Sequence, residues 1–133
     1  MIIRARAEDT SGIVSVLELH HPPETGPPLH VHQYEDEGFY ILEGTYRFTL
    51  FAPEKQVREV RSGDFLMAAR GVAHSFRALG PGLGKMLVYF TPGGVEAYFE
   101  AGSQIAADDP ERAKKWEELG QGFGISVLPR KTV

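Results

Sequence analysis

His30-Val31-His32-Gln33-Tyr34-Glu35-Asp36-Glu37 places two histidines at i and i+2, directly ahead of an acidic run. On a strand successive side chains alternate, so both imidazoles share one face. On a helix two residues turn the chain by roughly 200°, and the rings would point apart. The spacing therefore belongs to a strand, with both imidazoles turned to the interior. His74 arrives later, behind Gly63 and Gly71, so three of only five histidines fall into a pattern able to enclose one ion.

The text on either side reads the same way. From Ile13 to Phe90 it breaks into short β-type runs separated by Gly and Pro: Ile13–Leu19, Leu29–Gln33, Glu37–Leu42, Thr45–Phe51, Gln56–Val60, Asp64–Ala68, Ala73–Ala78 and Lys85–Thr91. Tyr46, Phe48 and Leu50 alternate with Thr45, Arg47 and Thr49, the period of a strand with one wet and one buried face. Pro22-Pro23-Glu24-Thr25-Gly26-Pro27-Pro28 cannot sit inside a sheet, because proline lacks the ladder donor. Glu43-Gly44 reads as a tight turn and Gly80-Pro81-Gly82-Leu83-Gly84 as a looser one. Eight short strands with this punctuation predict an all-β sandwich or barrel.

After Thr91-Pro92-Gly93-Gly94 the texture changes. Val95–Ala101 reads as a short helix; a second opens at Asp109-Pro110-Glu111, with Asp109 as cap, Pro110 in the first turn and Gly120 as its stop. The expected organisation is one structural domain: residues 1–92 form the barrel, and 93–133 form a helical tail packing on the barrel or on a partner copy. A chain of 133 residues is long enough for one core and too short for two.

Composition removes several classes of function. With no cysteine there are no disulfides, thiolate sites, iron–sulfur clusters or cysteine nucleophiles, so any metal must be held by nitrogen and oxygen. A net charge of −4 argues against a nucleic-acid partner. The N-terminus carries charges where a secretion signal needs an apolar run, and no segment approaches the ~18 apolar residues of a membrane span. The expected location is the cytoplasm.

Imidazoles suit Zn, Cu, Fe and Ni, and one added carboxylate oxygen also suits Mn or Co. One divalent transition metal ion is therefore the expected cofactor. Spacing alone does not choose among these metals, nor among Glu35, Asp36 and Glu37 as the oxygen donor.

At this point the chain resembles the cupin superfamily. Its first motif is matched by Gly26, His30, His32, Glu37 and Gly44, although Gly26 stands two residues nearer His30 than usual. Its second is matched by Gly63, Gly71 and His74, with Ala69 in place of the usual proline and Ala78 in place of the usual asparagine. The resemblance implies a double-stranded β-helix (jelly-roll) barrel over roughly residues 13 to 91. It implies His30, His32, Glu37 and His74 as the metal ligands, with Glu35 and Asp36 left to solvent or the barrel mouth. More narrowly, Glu37-Gly38-Phe39-Tyr40-Ile41-Leu42-Glu43-Gly44 and Phe90-Thr91-Pro92-Gly93-Gly94-Val95-Glu96 are similar to bacterial quercetin-dioxygenase-like single-domain cupins. That likeness implies a dioxygenase acting on a small aromatic or enolisable oxygenated compound, with Glu37 both ligand and catalytic base. The alternatives are a non-redox cyclase or isomerase of natural-product metabolism, and a non-catalytic small-molecule-binding cupin. A homodimer is the expected assembly.

Plainer readings apply elsewhere. Most of the barrel's aromatic and methionine side chains are expected to be core; Phe76, Tyr46, Phe48 and Met67 are the candidate substrate contacts. Phe76 leads because it lies two residues from His74 and shares its face. His20-His21 has no comparable partners in the text and reads as an exposed strand end.

Overall fold

The computed structural model describes residues 1–129; the last four residues of the expected tail, 130–133, lie outside the described residues. The strands are β1 (Ile2–Ala5), β2 (Ser15–His21), β3 (His30–His32), β4 (Asp36–Glu43), β5 (Thr45–Phe51), β6 (Lys55–Arg61), β7 (Phe65–Ala68), β8 (Ala73–Ala78) and β9 (Gly84–Thr91). Two helices, α1 (Glu96–Gly102) and α2 (Arg112–Gln121), precede a last strand, β10 (Ile125–Val127). They build two five-stranded sheets, ordered β1-β2-β9-β4-β7 and β10-β3-β8-β5-β6. Every strand pair is antiparallel. This is the double-stranded β-helix fold, with short C-terminal helices added.

The alternation read in Thr45–Phe51 holds: Tyr46, Phe48 and Leu50 are buried while Arg47 is exposed. On β9, Met86, Val88 and Phe90 do the same from the facing sheet. Together with Leu17, Phe39 and Ile41 they fill the space between the sheets. Each such side chain contributes roughly 1.5–3 kcal/mol by leaving water. Gly44 turns β4 into β5 with φ +86°, a conformation L side chains rarely adopt. Gly26 serves another purpose, since a Cβ there would lie 1.9 Å from the Phe76 carbonyl oxygen.

All eight expected strands are present. The two beyond them, β1 and β10, are only four and three residues long, too short for a period to declare itself. The second helix differs from expectation at its start. It begins at Arg112, because the Asp109 carboxylate accepts the Glu111 N–H (2.8 Å) and closes a separate turn ahead of it. At the other end it stops at Gln121, one residue past Gly120, and that glycine is buried where a Cβ would meet the Ile125 carbonyl oxygen at 3.2 Å. The reversal into β10 falls at Gly124, with φ +73°.

One buried acid ties the N-terminal segment to α1. Glu96 is only 6% exposed, yet it accepts hydrogen bonds from the Ala7 N–H (2.8 Å), the Ser15 hydroxyl (2.5 Å) and the Gly94 N–H (3.1 Å). Burial pushes its pKa up, but these donors outweigh burial and leave it below the ordinary carboxylate value. Arg6 and Glu100 add a two-pronged ion pair alongside. Because the Glu96 pKa is depressed on folding, its contribution is present above pH 4.5 and is lost as pH falls through the folded value. Glu96→Ala takes the acceptor from the Ala7 N–H and the Ser15 hydroxyl, while the Gly94 N–H keeps the Ser15 oxygen at 2.8 Å, and it is expected to lower unfolding free energy by about 3 kcal/mol at pH 7. Denaturant melts of both proteins, repeated towards pH 4, should show the gap narrowing with acid.

Candidate metal centre

The two sheets bring their polar residues together at one point. β3 supplies His30 and His32 on one face, and His30 stands opposite His74 of β8 in the ladder. Glu37 comes from the facing sheet, on β4, paired with Ala68 and Phe90. One ligand-type atom from each of His30, His32, Glu37 and His74 lies within 4.8 Å of the others. His32, His74 and Glu37 are each no more than 5% exposed, and His30 keeps some contact with the cavity.

The Nδ1 atoms decide what this cluster can do. The Nδ1–H of His30 donates to the Pro28 carbonyl (2.8 Å) and that of His74 to the Val72 carbonyl (3.0 Å). The Nδ1–H of His32 donates to the Glu35 carboxylate (3.2 Å). These acceptors hold the proton on Nδ1 and leave Nε2 as the free nitrogen. The Nε2 of His74 sits 3.0 Å and that of His32 3.4 Å from the same Glu37 oxygen. A carboxylate oxygen facing two nitrogen lone pairs is repulsive unless a cation lies among them, and that cation is a proton or a metal ion.

The titration behaviour follows. Burial, helped by the charge of His74, lowers His30 to about 4, so it stays neutral at working pH. Burial lowers His74 too, but its hydrogen bond to Glu37 and that carboxylate's charge prevail, raising it above the ordinary histidine value. Burial tends to raise Glu37; the bond from His74 and the surrounding imidazoles outweigh it and bring the carboxyl below its usual range. Without metal, His74 and Glu37 share a proton as an ion pair. With metal, three neutral imidazoles and one carboxylate are a donor set that fits a divalent transition ion.

A cavity of about 660 Å³ opens onto this cluster, lined by His30, His32, Glu37 and Phe76. Its far walls are Leu19 and His21 of β2, Tyr98 and Phe99 of α1, Arg112, Ala113, Trp116 and Glu117 of α2, and the β10 segment. Of the expected substrate contacts, Phe76 lines the cavity. Tyr46 and Phe48 are wholly buried in the core behind it, their rings 5.9 and 5.2 Å from that of Phe76. Met67 stands on the outer face, 43% exposed, because Leu66 and Ala68 take the inward positions of β7.

Two residues differ from their sequence reading. Glu35 is not left to solvent; it is buried against His32, a role no strand period announces for a residue in the β3–β4 connection. His21 is not an exposed strand end. It is half-buried in the cavity wall, with Nδ1 2.9 Å from the Tyr46 hydroxyl, while His20 pairs outward with Glu18 at 2.6 Å. The signal was in the text: Leu17, Leu19 and His21 form an i, i+2, i+4 series on β2, and Leu17 is core. Asp36 holds Arg70 at the surface, away from the cluster.

The description "cupin domain" belongs to the family whose sequence model matches residues 17–102. The chain belongs to that family. Among curated proteins none matches. Solved structures with the same architecture include KdgF from Halomonas sp., with TM-score 0.62 and 19% identity over 71% of this chain and 79% of that one. A predicted oxalate decarboxylase from Thermotoga maritima gives 0.59 and 23%, over 65% and 73%. A conserved protein from Klebsiella pneumoniae with a double-stranded β-helix domain gives 0.58 and 18%, over 69% and 75%. Likenesses at these identities speak for the fold.

His74→Ala is expected to abolish stoichiometric metal while keeping a folded β protein, because it removes a ligand rather than core packing. Glu35→Gln, which spares all four candidate ligands, is expected to weaken metal affinity roughly 10- to 100-fold. Elemental analysis and competition titration against a chelator check both. The pH dependence has a definite sign. The raised His74 pKa gives stability to the metal-free pair that is complete below pH 6.5 and lost as pH rises through the folded value. The depressed Glu37 pKa gives stability present above pH 4.5 and lost in acid. Metal must displace the shared proton, so the rise in melting temperature produced by saturating Ni²⁺ or Zn²⁺ is expected to grow from about pH 5.5 to about pH 8. A constant increment would contradict imidazole ligation.

Proposed function

We propose that this cupin is a metal-dependent dioxygenase acting on a small aromatic or enolisable oxygenated compound. The observation that supports the reading is the union of a four-ligand cluster with a largely apolar cavity of about 660 Å³, large enough for a compound of one or two rings. His30, His32, Glu37 and His74 would hold the ion. Four protein donors leave one or two coordination positions, so a redox-active ion there supplies a place for substrate oxygen and dioxygen to meet.

The chain's own residues handle the proton and the water. Glu37 lines the cavity, and its carboxylate would accept the acidic proton of an enol, catechol or diketone as the substrate binds. Phe76, Phe99 and Leu19 exclude water and give a planar substrate an apolar surface. Dioxygenation consumes one molecule of dioxygen and places both oxygen atoms in the product, so no external reductant is required.

Glu37 at the cavity wall also supports a second reading, a cyclase or isomerase that moves a proton without oxygen, which Zn²⁺ would serve as a Lewis acid. An oxygen electrode separates the two. Protein loaded in turn with Fe, Mn, Co, Ni or Cu is expected to consume oxygen with a flavonol, a catechol or a diketone, and Glu37→Gln to lower the rate at least 100-fold. Substrate loss under nitrogen points to the isomerase. Binding without turnover under either gas overturns both and leaves a binding protein.

A further inference from the structure

The cavity that holds the metal cluster is also lined by α2, which carries two donors without an acceptor among the described residues. Trp116 lines the cavity, and its indole N–H is buried with no hydrogen-bond partner among the described residues. A buried indole N–H normally finds an acceptor, and leaving one unmet costs free energy. The ring has little freedom to seek one elsewhere. Its six-membered edge lies against Gly102, where a Cβ would stand 2.0 Å from the indole, and Tyr98 packs edge-on at 5.2 Å.

Arg112 lies one turn earlier on the same helix and lines the same cavity, with its guanidinium 5.9 Å from the centre of the Trp116 ring. Among the described residues it makes no ion pair, although Glu117, the other charged side chain of this wall, is nearby on α2. The rest of the lining is mostly apolar, interrupted by His21, Tyr98 and Glu117. A permanently cationic fork over the ring that carries an unmet N–H is chemistry for an oxyanion.

We propose that Arg112 and Trp116 form a carboxylate-binding subsite, and that the substrate is an apolar-bodied carboxylic acid spanning from α2 towards the metal. The inference names the substrate class for the metal-site reading above and rests on that reading only at the metal end. It makes α2 a specificity element: the helix selects the anionic head, and the barrel presents the reacting end.

The chain contains a single tryptophan, so its emission reports events at Trp116 itself. Chelator-stripped and Ni²⁺-loaded protein are titrated with benzoate, phenylacetate and 3-phenylpropanoate, and with the three corresponding amides, by fluorescence and by calorimetry. At least one acid is expected to bind saturably, to change the emission, and to bind about tenfold or more tightly than its amide, in stripped and loaded protein alike. Arg112→Gln is expected to reduce that acid-over-amide ratio to near one, and Trp116→Phe, followed by calorimetry, to weaken the acid about tenfold. Both variants are expected to keep full metal content. If none of the acids binds, if Arg112→Gln keeps the preference, or if the preference vanishes on stripping because the ion alone holds the acid, the proposal is overturned. If the wild type takes up no metal yet keeps the preference, the metal reading falls and the subsite stands.

Discussion

The arrangement rests on three hydrogen bonds that point away from the centre. By donating their Nδ1–H groups to Pro28, Glu35 and Val72, the histidines of β3 and β8 are left with inward lone pairs, and Glu37 adds a carboxylate from the opposite sheet. Four electron-rich atoms so close together repel one another. The core around them, above all Phe39 and Phe90 packed on the imidazoles, keeps them from spreading apart. A cation reconciles them: the proton shared by His74 and Glu37 in the metal-free protein, or a metal ion that would displace it, so a fold held by ordinary hydrophobic burial acquires a cation-dependent cluster.

Much of this was visible in the order of residues. The i, i+2 histidines demanded a strand, and the period-two run Thr45–Phe51 named its own buried face. These features depend on neighbours in the chain, so a sequence displays them directly. The contribution of β10, the burial of Glu35 and the cavity-facing position of His21 depend on partners reached through folding. His21 is the instructive case: attention to the doublet His20-His21 hid the series Leu17, Leu19, His21, in which the second histidine simply continues the inward face.

The helix boundaries teach a related lesson about glycine and aspartate. Gly120 reads as a stop signal and is also small because Ile125 and Tyr98 press against it, and Asp109 caps a turn rather than the helix. In both places tertiary packing assigned a use that local preference does not distinguish. The outcome bears on function, because an α2 running from Arg112 to Gln121 places Arg112 and Trp116 one turn apart over the cavity.

The short strand β3, which bears two of the four clustered side chains, leans heavily on the far end of the polypeptide. It is registered to β8 through the single pair His30 and His74, but to β10 through three, at His30, Val31 and His32. Peeling the terminal strand away, by proteolytic nicking in the α2–β10 turn or by a bulky fusion close behind it, would leave the histidine strand as a bare sheet margin. Any ion held by His30 and His32 would thereby depend on β10, and a preparation nicked ahead of that strand is expected to lose metal-binding capacity before it loses its barrel.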